Sequence, residues 1–412
     1  MTKFDPAAVN CRLTKARLTS AEIFWRGIQP WLVDQGYELR KRYRPDWVPS
    51  WLKYDSSPDR YEDGQVLPYD QIIDAVKLSD GSRVVLKRIK RTSRSNEHNM
   101  LMFFGTGSLA SSSRNHCVPV LATLYPPSER SWIIVVMPLL REYDSPRFDT
   151  VGEAVECFRQ IFEGLDFMHK QGVAHRDICI ENIMVDARDL YPKGYHFVRK
   201  NESVDLKGRA RYRTRTQKPA KYYIVGYEQA QHCDLDKFTE KLDPVRYRLE
   251  SPTSHFLLDS EDTPDPFATD VFYIGNLIRY YFLDGHSIPN VTRKRKGSFE
   301  FMRPLIMAMT QEDYTKRPTM SQVNRAFEIL VQGLSELTLR SRFSRPQDGV
   351  LSAVVYGVPH WLRKISFAVR RVPSLPKPRM DKVLKQDKKD ALDAIMVNLA
   401  PSSVSSFKPV TR

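Results

Sequence analysis

The chain has 412 residues, 41% of them hydrophobic, which is enough for two modest domains or one two-lobed unit with tails. No apolar run approaches the ~18 residues of a membrane helix; the longest, 132–140 and 271–283, fall short, and the second carries Arg279. The net charge of +15 is uneven: residues 341–412 contribute +9, and residues 207–221 hold seven cations and no acid. That distribution suits a globular body with basic appendages able to meet RNA, acidic protein or anionic membrane, although no nucleic-acid recognition motif accompanies it. Five cysteines, odd in number and without C-x-x-C spacing, point to a reducing compartment and away from a disulfide framework or zinc site. With Asp5 and no apolar segment near the start, the expected setting is intracellular, cytoplasmic or nuclear.

Residues 1–18 are polar and expected to be disordered. Thr19 and Glu22 have the spacing of a capping box, and Phe24, Ile28, Trp31 and Leu32 follow on one helical face. Gly36 stands where such a helix wants a left-handed residue. Four of six tryptophans lie within residues 25–51, between prolines, and predict an extended segment clamped onto a domain.

Strands are predicted over residues 72–78 and 84–87, joined by an Asp80-Gly81 turn. A short helix follows near 96–103, then strands over 118–124 and 132–137. Beyond Pro138 the pattern becomes helical. Thr150 and Glu153 form a second cap, and Val155, Phe158, Phe162 and Leu165 make a buried stripe. Periodicity fades after about residue 338. Residues 361–371 predict one short basic helix, with Leu362, Ile365 and Val369 aligned, that docks on the body or lies on anionic membrane.

The strongest chemical signal is His175-Arg176-Asp177 followed by Asn182. It matches the H-R-D-x-x-x-x-N pattern, in which a carboxylate accepts a substrate hydroxyl's proton and an amide five residues on reaches a phosphate-bound metal. Other segments fall in a matching order. Lys87 ends a Val-Val-Leu-Lys strand, Glu97 sits on the next helix, Asp270 opens a later one, and Arg317 precedes Pro318.

Over residues 20–338 the chain resembles the eukaryotic protein-kinase-like superfamily. It is most similar to the kinase-like proteins abundant in mushroom-forming fungi, which have segments like 25–51 and 115–120. The resemblance implies an α+β, bilobal protein-kinase-like fold with a small β-rich N-lobe and a larger helical C-lobe. The boundaries expected are an extension to residue 60, an N-lobe over 61–137, a C-lobe over 138–338 with a basic insertion at about 186–221, and a basic, mostly disordered tail over 339–412. It also implies that Lys87 and Glu97 position ATP, that Asn182 holds magnesium, and that His175, Asp270 and Arg317 brace the catalytic loop.

Three departures fall on the parts that touch phosphate, metal or peptide. After the strand at 222–225 come Gly226-Tyr227-Glu228 where D-F-G is expected, so Gly226 replaces the metal-binding aspartate. Only Gly64 stands between Tyr61 and Gly81, so the glycine-rich phosphate loop is missing. No A-P-E triplet precedes Asp270; Glu261 is the nearest substitute. The expectation is a pseudokinase with a degenerate ATP and magnesium site, acting mainly by binding to an unidentified protein. Its alternatives are an active Ser/Thr kinase with Asp177 as base, and a basic adaptor. Asp177 and Gly226 are 49 residues apart. The chain between them includes Arg209, Arg211, Arg213 and Arg215, which an extended backbone would place on one face toward an anionic partner, the other reading being a solvated hairpin.

Overall fold

The computed structural model describes residues 14–53, 56–91, 96–233, 265–284, 298–344 and 360–375 without 362 and 368. Residues 1–13, Glu261, Leu362 and the tail beyond 375 lie outside that set. The chain divides into two compact units, one made of residues up to Phe148 plus Glu181–Ala230, the other of Asp149–Ile180 plus Gln231 onward. This division departs from the boundaries expected at 61 and 138.

The first unit is built on an antiparallel five-stranded sheet ordered β1-β2-β3-β5-β4. Its strands are β1 (Tyr37–Leu39), β2 (Ile72–Lys77), β3 (Arg83–Lys90), β4 (Ala122–Leu124) and β5 (Trp132–Pro138). Helix α1 (Ser20–Asp34) opens with the expected capping box at Thr19, and Gly36 adopts φ 87° beyond its end. Its buried face is set by Trp25, Ile28 and Leu32, with Phe24 and Trp31 only partly covered. These side chains form one core with Ile73, Leu86, Ile134 and Val136 of the sheet. A helix with an apolar stripe must bury it, so the predicted extension is an integral part of this unit.

The connection from β1 to β2 occupies the place of the missing glycine-rich loop. It is tied down by buried charge. Arg42 donates to both Glu22 oxygens at 2.7 and 3.1 Å, and to the carbonyls of Lys15, Arg17 and Asp63. Burial would raise the Glu22 carboxyl, but Arg42, the Thr19 N–H and the Tyr43 hydroxyl together hold it below the usual range. Asp63 accepts from Trp47 Nε1 and the Ser50 N–H, which clamps the tryptophan-rich segment as expected.

A second sheet of this unit, ordered β6-β8-β9, comprises β6 (Leu140–Glu142), β8 (Ile183–Asp186) and β9 (Tyr222–Ile224). The long β8–β9 connection is folded, with Leu190, Tyr191, Tyr195 and Phe197 buried. Two arginines pin it. Arg141 lies between the rings of Tyr191 and Tyr195, 4.8 and 4.6 Å from their centroids, and donates to the Lys200 carbonyl and Asn201 Oδ1. Arg215 is 5% exposed, donates to the carbonyls of Pro146 and Tyr143, and covers the Phe148 ring. The four-arginine face is therefore corrected to three: Arg209, Arg211 and Arg213 are exposed, and Arg215 turns inward where the extended stretch ends in a turn.

The second unit is mainly helical. Its long helix α2 (Val151–Lys170) buries Val155, Phe158, Phe162 and Leu165 as the periodicity predicts. It packs with α5 (Met320–Gln332), while α3 (Pro266–Ile278) packs with α4 (Arg303–Met309), which in turn meets α5. A two-stranded ladder pairs β7 (Val173–Ala174) with β10 (Gln231–His232). The disordered tail expected from residue 339 is corrected in part, because its apolar residues find cover. Leu339, Phe343, Phe367 and Leu375 are buried. Arg363 pairs with Asp149 at 2.6 Å, and Asp149 is held below the usual carboxylate range by His360 and Arg363 against the opposing effect of burial. The expected helix thus packs on its own unit through Phe367 and Arg363, while Ile365 and Val369 are exposed.

Candidate functional site

In the first unit, β3 presents Lys87 from the sheet, opposite Ile72 on β2 and Val135 on β5. The helix that carries Glu97, Asn96–Gly105, brings its carboxylate into an ion pair with Lys87 Nζ despite the short ten-residue separation. Both side chains are nearly enclosed. Burial raises the Glu97 carboxyl, Lys87 opposes the rise, and Glu228 adds like charge. Glu228 reaches to 3.5 Å from Lys87 Nζ although its side chain is 64% exposed. Asn96 donates to the Ala230 carbonyl, joining this helix to the segment after β9.

That segment holds Gly226, where the resemblance leads one to expect a metal-binding aspartate. Gly226 has φ 82°, and a Cβ there would lie 2.2 Å from Asn182 Oδ1, 2.6 Å from its Cγ and 2.8 Å from its Nδ2. The Val225 N–H donates to the Asn182 carbonyl at 2.9 Å, so backbone and side chain of Asn182 both lie against this strand end. The Asn182 amide fills the space that a side chain at 226 would need. Neighbouring Tyr227 is fully buried; its hydroxyl donates to the Ile224 carbonyl at 2.5 Å and accepts from the Val118 N–H. Burial pushes this phenol far above its usual range and lifts the adjoining Cys117 thiol to about 12. His116 Nδ1 donates to the Tyr222 carbonyl and Asn115 Oδ1 accepts from the Cys117 N–H, fixing the strand that flanks Gly226. Asn115 and His116 fall in the 115–120 segment that the resemblance singles out, but no sequence signal assigned either of them a role.

A cavity of about 560 Å³ opens in the same unit. It is lined by Tyr69, Arg141, Glu142 and residues 198–202 of the β8–β9 connection, and by none of Lys87, Glu97, Asn182 or Gly226.

In the second unit, fully buried Asp270 on α3 accepts the N–H groups of His175 and Arg176, each at 2.7 Å, and faces His169 Nε2 at 2.9 Å. Arg176 takes φ 63°, an unfavourable conformation for a side chain with a Cβ. The two bonds to Asp270 hold it there. His175 is fully buried, and its Nδ1 accepts from the Asp177 N–H at 3.2 Å, which turns the loop at half-buried Asp177. Arg317 donates to the carbonyls of Gln311, Glu312 and Ala268 and lies over the Phe272 ring at 4.7 Å. Backbone oxygens and an aromatic face thus serve this guanidinium, and Glu261 lies outside the described residues.

A strand lysine paired with a helix glutamate, and an H-R-D loop fastened by a buried aspartate, define a protein-kinase-like protein of the α+β class. Residues 69–194 match the family model of the protein kinase domain, so that stretch of the chain is similar to protein kinase domains. It is similar to the serine/threonine-protein kinase pim-2 of Danio rerio, 27% identical over 133 residues, which are 27% of this chain and 42% of that protein. The match thus spans less than half the length of that relative. A solved structure of the Rad53 kinase domain and SCD2 is 14% identical, covering 61% of this chain and 84% of its own with a TM-score of 0.35, and adds nothing to the assignment. Gly226, Asp270 and Arg317 all lie beyond the stretch that the family model matches.

Proposed function

We propose that this chain is a pseudokinase, a protein-kinase-like protein whose phosphoryl transfer is weakened or lost and which works mainly by binding a protein partner. The carrying observation is the contact at Gly226. The position that gives magnesium a carboxylate in the D-F-G pattern has no side chain, and a Cβ there would meet the Asn182 amide at 2.2 Å, so that amide would have to turn away to admit one. Gly226 offers no carboxylate to a magnesium ion, and the nearby Glu228 lies 3.5 Å from Lys87 Nζ. Losing one well-placed stabilising group at a reacting centre costs about 2.7–4 kcal/mol, or about 10²–10³ in rate.

A working Ser/Thr kinase is the second reading, favoured by the Lys87–Glu97 pair and the braced loop at Asp177. In it Lys87 would hold ATP phosphates, Asp177 would take the hydroxyl proton and Asn182 would bind magnesium. An intracellular setting accords with either reading, since Cys117, Cys157, Cys179 and Cys233 are free thiols. Nucleotide binding separates the two. Thermal unfolding with ATP and magnesium, compared with ATP and a chelator, reports stabilisation through concentration relative to Kd. The pseudokinase reading expects the magnesium arm to give no larger shift than the chelator arm. A clear shift with magnesium alone would favour the working kinase.

A further inference from the structure

The β8–β9 connection carries a feature that is independent of phosphoryl transfer. Residues 209–213 are anchored at both ends by backbone hydrogen bonds. The Ala210 N–H donates to the Asn201 carbonyl at 2.9 Å, the Arg213 N–H to the Leu190 carbonyl at 2.8 Å, and Glu202 bridges Arg209 in antiparallel fashion. Tyr212 touches the Tyr191 ring at 5.8 Å while remaining 54% exposed, and Thr214 is buried. Alternation along an extended backbone then leaves Arg209, Arg211 and Arg213 on the other side, and all three are exposed. Among the described residues, none of their guanidinium groups makes an ion pair or side-chain hydrogen bond. The nearest acid in sequence, Asp205, pairs with Lys207, and exposed Lys218 adds to the same sign of charge.

Three unpartnered arginines on a segment tied at both ends differ from a free charge run in having constrained positions. Positions two apart on an extended chain are about 6.6–6.8 Å apart. Another extended polypeptide has that same repeat. A helix brings acids into line only every third or fourth residue, in steps of about 4.5–6 Å, and falls out of register with the row. A guanidinium fork matches a carboxylate with two parallel hydrogen bonds. We infer that Arg209, Arg211 and Arg213 form a docking row for an extended acidic peptide segment of a partner protein, with carboxylates at alternate positions. The row lies outside the candidate phosphate site, so a failed transfer assay leaves it untouched.

The test uses the full chain and fluorescence anisotropy at low salt. The probe is a labelled ten-residue peptide with Glu at alternate positions and Thr between. A second peptide has the same composition with its glutamates in one block, and a third probe is a uridine oligoribonucleotide. The alternating peptide should bind more tightly than the blocked one. R209A/R211A/R213A should weaken it about tenfold, given modest gains from each exposed pair. The control K382A/K385A/K388A removes the same charge from the tail and should leave binding within about twofold. An unchanged unfolding curve for the triple arginine variant certifies its fold. Equal binding of the two peptides, or an equal loss in the tail control, would overturn the docking row. So would tighter RNA binding that the arginine variant abolishes, which would assign the row to nucleic acid.

Discussion

At Gly226 a left-handed backbone and the Asn182 amide impose separate costs on any side chain. A Cβ in that conformation costs about 1–2 kcal/mol by itself, and the 2.2 Å approach to Asn182 adds to it. Gly226→Ala should therefore lower stability in denaturant unfolding by more than about 2 kcal/mol. In an Asn182→Ala background the cost should fall toward the conformational part alone, since coupling between touching residues appears as non-additivity. For the same reason Gly226→Asp should not gain phosphoryl transfer, which a γ-phosphate transfer assay would check. The missing aspartate was legible in the sequence, but its cause was not, because Asn182 and Gly226 meet across 44 residues of chain. Glu97 supplies a pH test. Its carboxyl is raised in the fold, so its stabilising contribution is full below the unfolded value near 4.5 and is lost as pH rises through the folded one. Lys87→Met removes the cation that opposes the rise. That variant should be less stable than the parent by on the order of 3 kcal/mol at neutral pH, with the gap narrowing toward pH 4 in unfolding titrations.

The β8–β9 connection and the tail behave as elements because single charged residues fasten them. Arg215→Ala removes two buried donor bonds and leaves the carbonyls of Pro146 and Tyr143 unpaired. It should cost about 2–3 kcal/mol, whereas Arg211→Ala, exposed and without a partner, should stay within about 0.5 kcal/mol. Urea unfolding of the two variants compares them directly. Period-two spacing made the arginine row legible, but four arginines looked alike, and only the turn after Thr214 separates Arg215 from the others. The tail is the converse case. Lysines and serines mask its few apolar residues, yet Phe343, Phe367 and Leu375 are buried. Asp149 is depressed in the fold, so the stability it lends to tail docking is present above the unfolded value near 3.8 and lost as pH falls below it. Asp149→Asn should release this segment at neutral pH as well, read as faster proteolytic cleavage near residues 360–375.

For the whole molecule, the order of strands before helices and the spacing of His175, Asp177 and Asn182 made the protein-kinase-like class legible, and the family match over residues 69–194 accords with it. Less legible was the division of the chain. Residues 181–230 come after the H-R-D triplet in sequence, yet β8 pairs with β6 and β9 with β8, and both belong to the first unit. Long-range pairing of that kind leaves no local periodicity to read. Asp270 under the loop and Lys87 against Glu97 are in place, while position 226 carries no carboxylate. On the proposed reading the H-R-D loop is kept for architecture rather than for transfer. The most direct measurement is transfer of the γ-phosphate from labelled ATP with magnesium, by the full chain and by its Asp177→Asn variant. The account predicts the same background signal from both proteins. Asp177-dependent transfer at the roughly 1–100 per second of working kinases would contradict it.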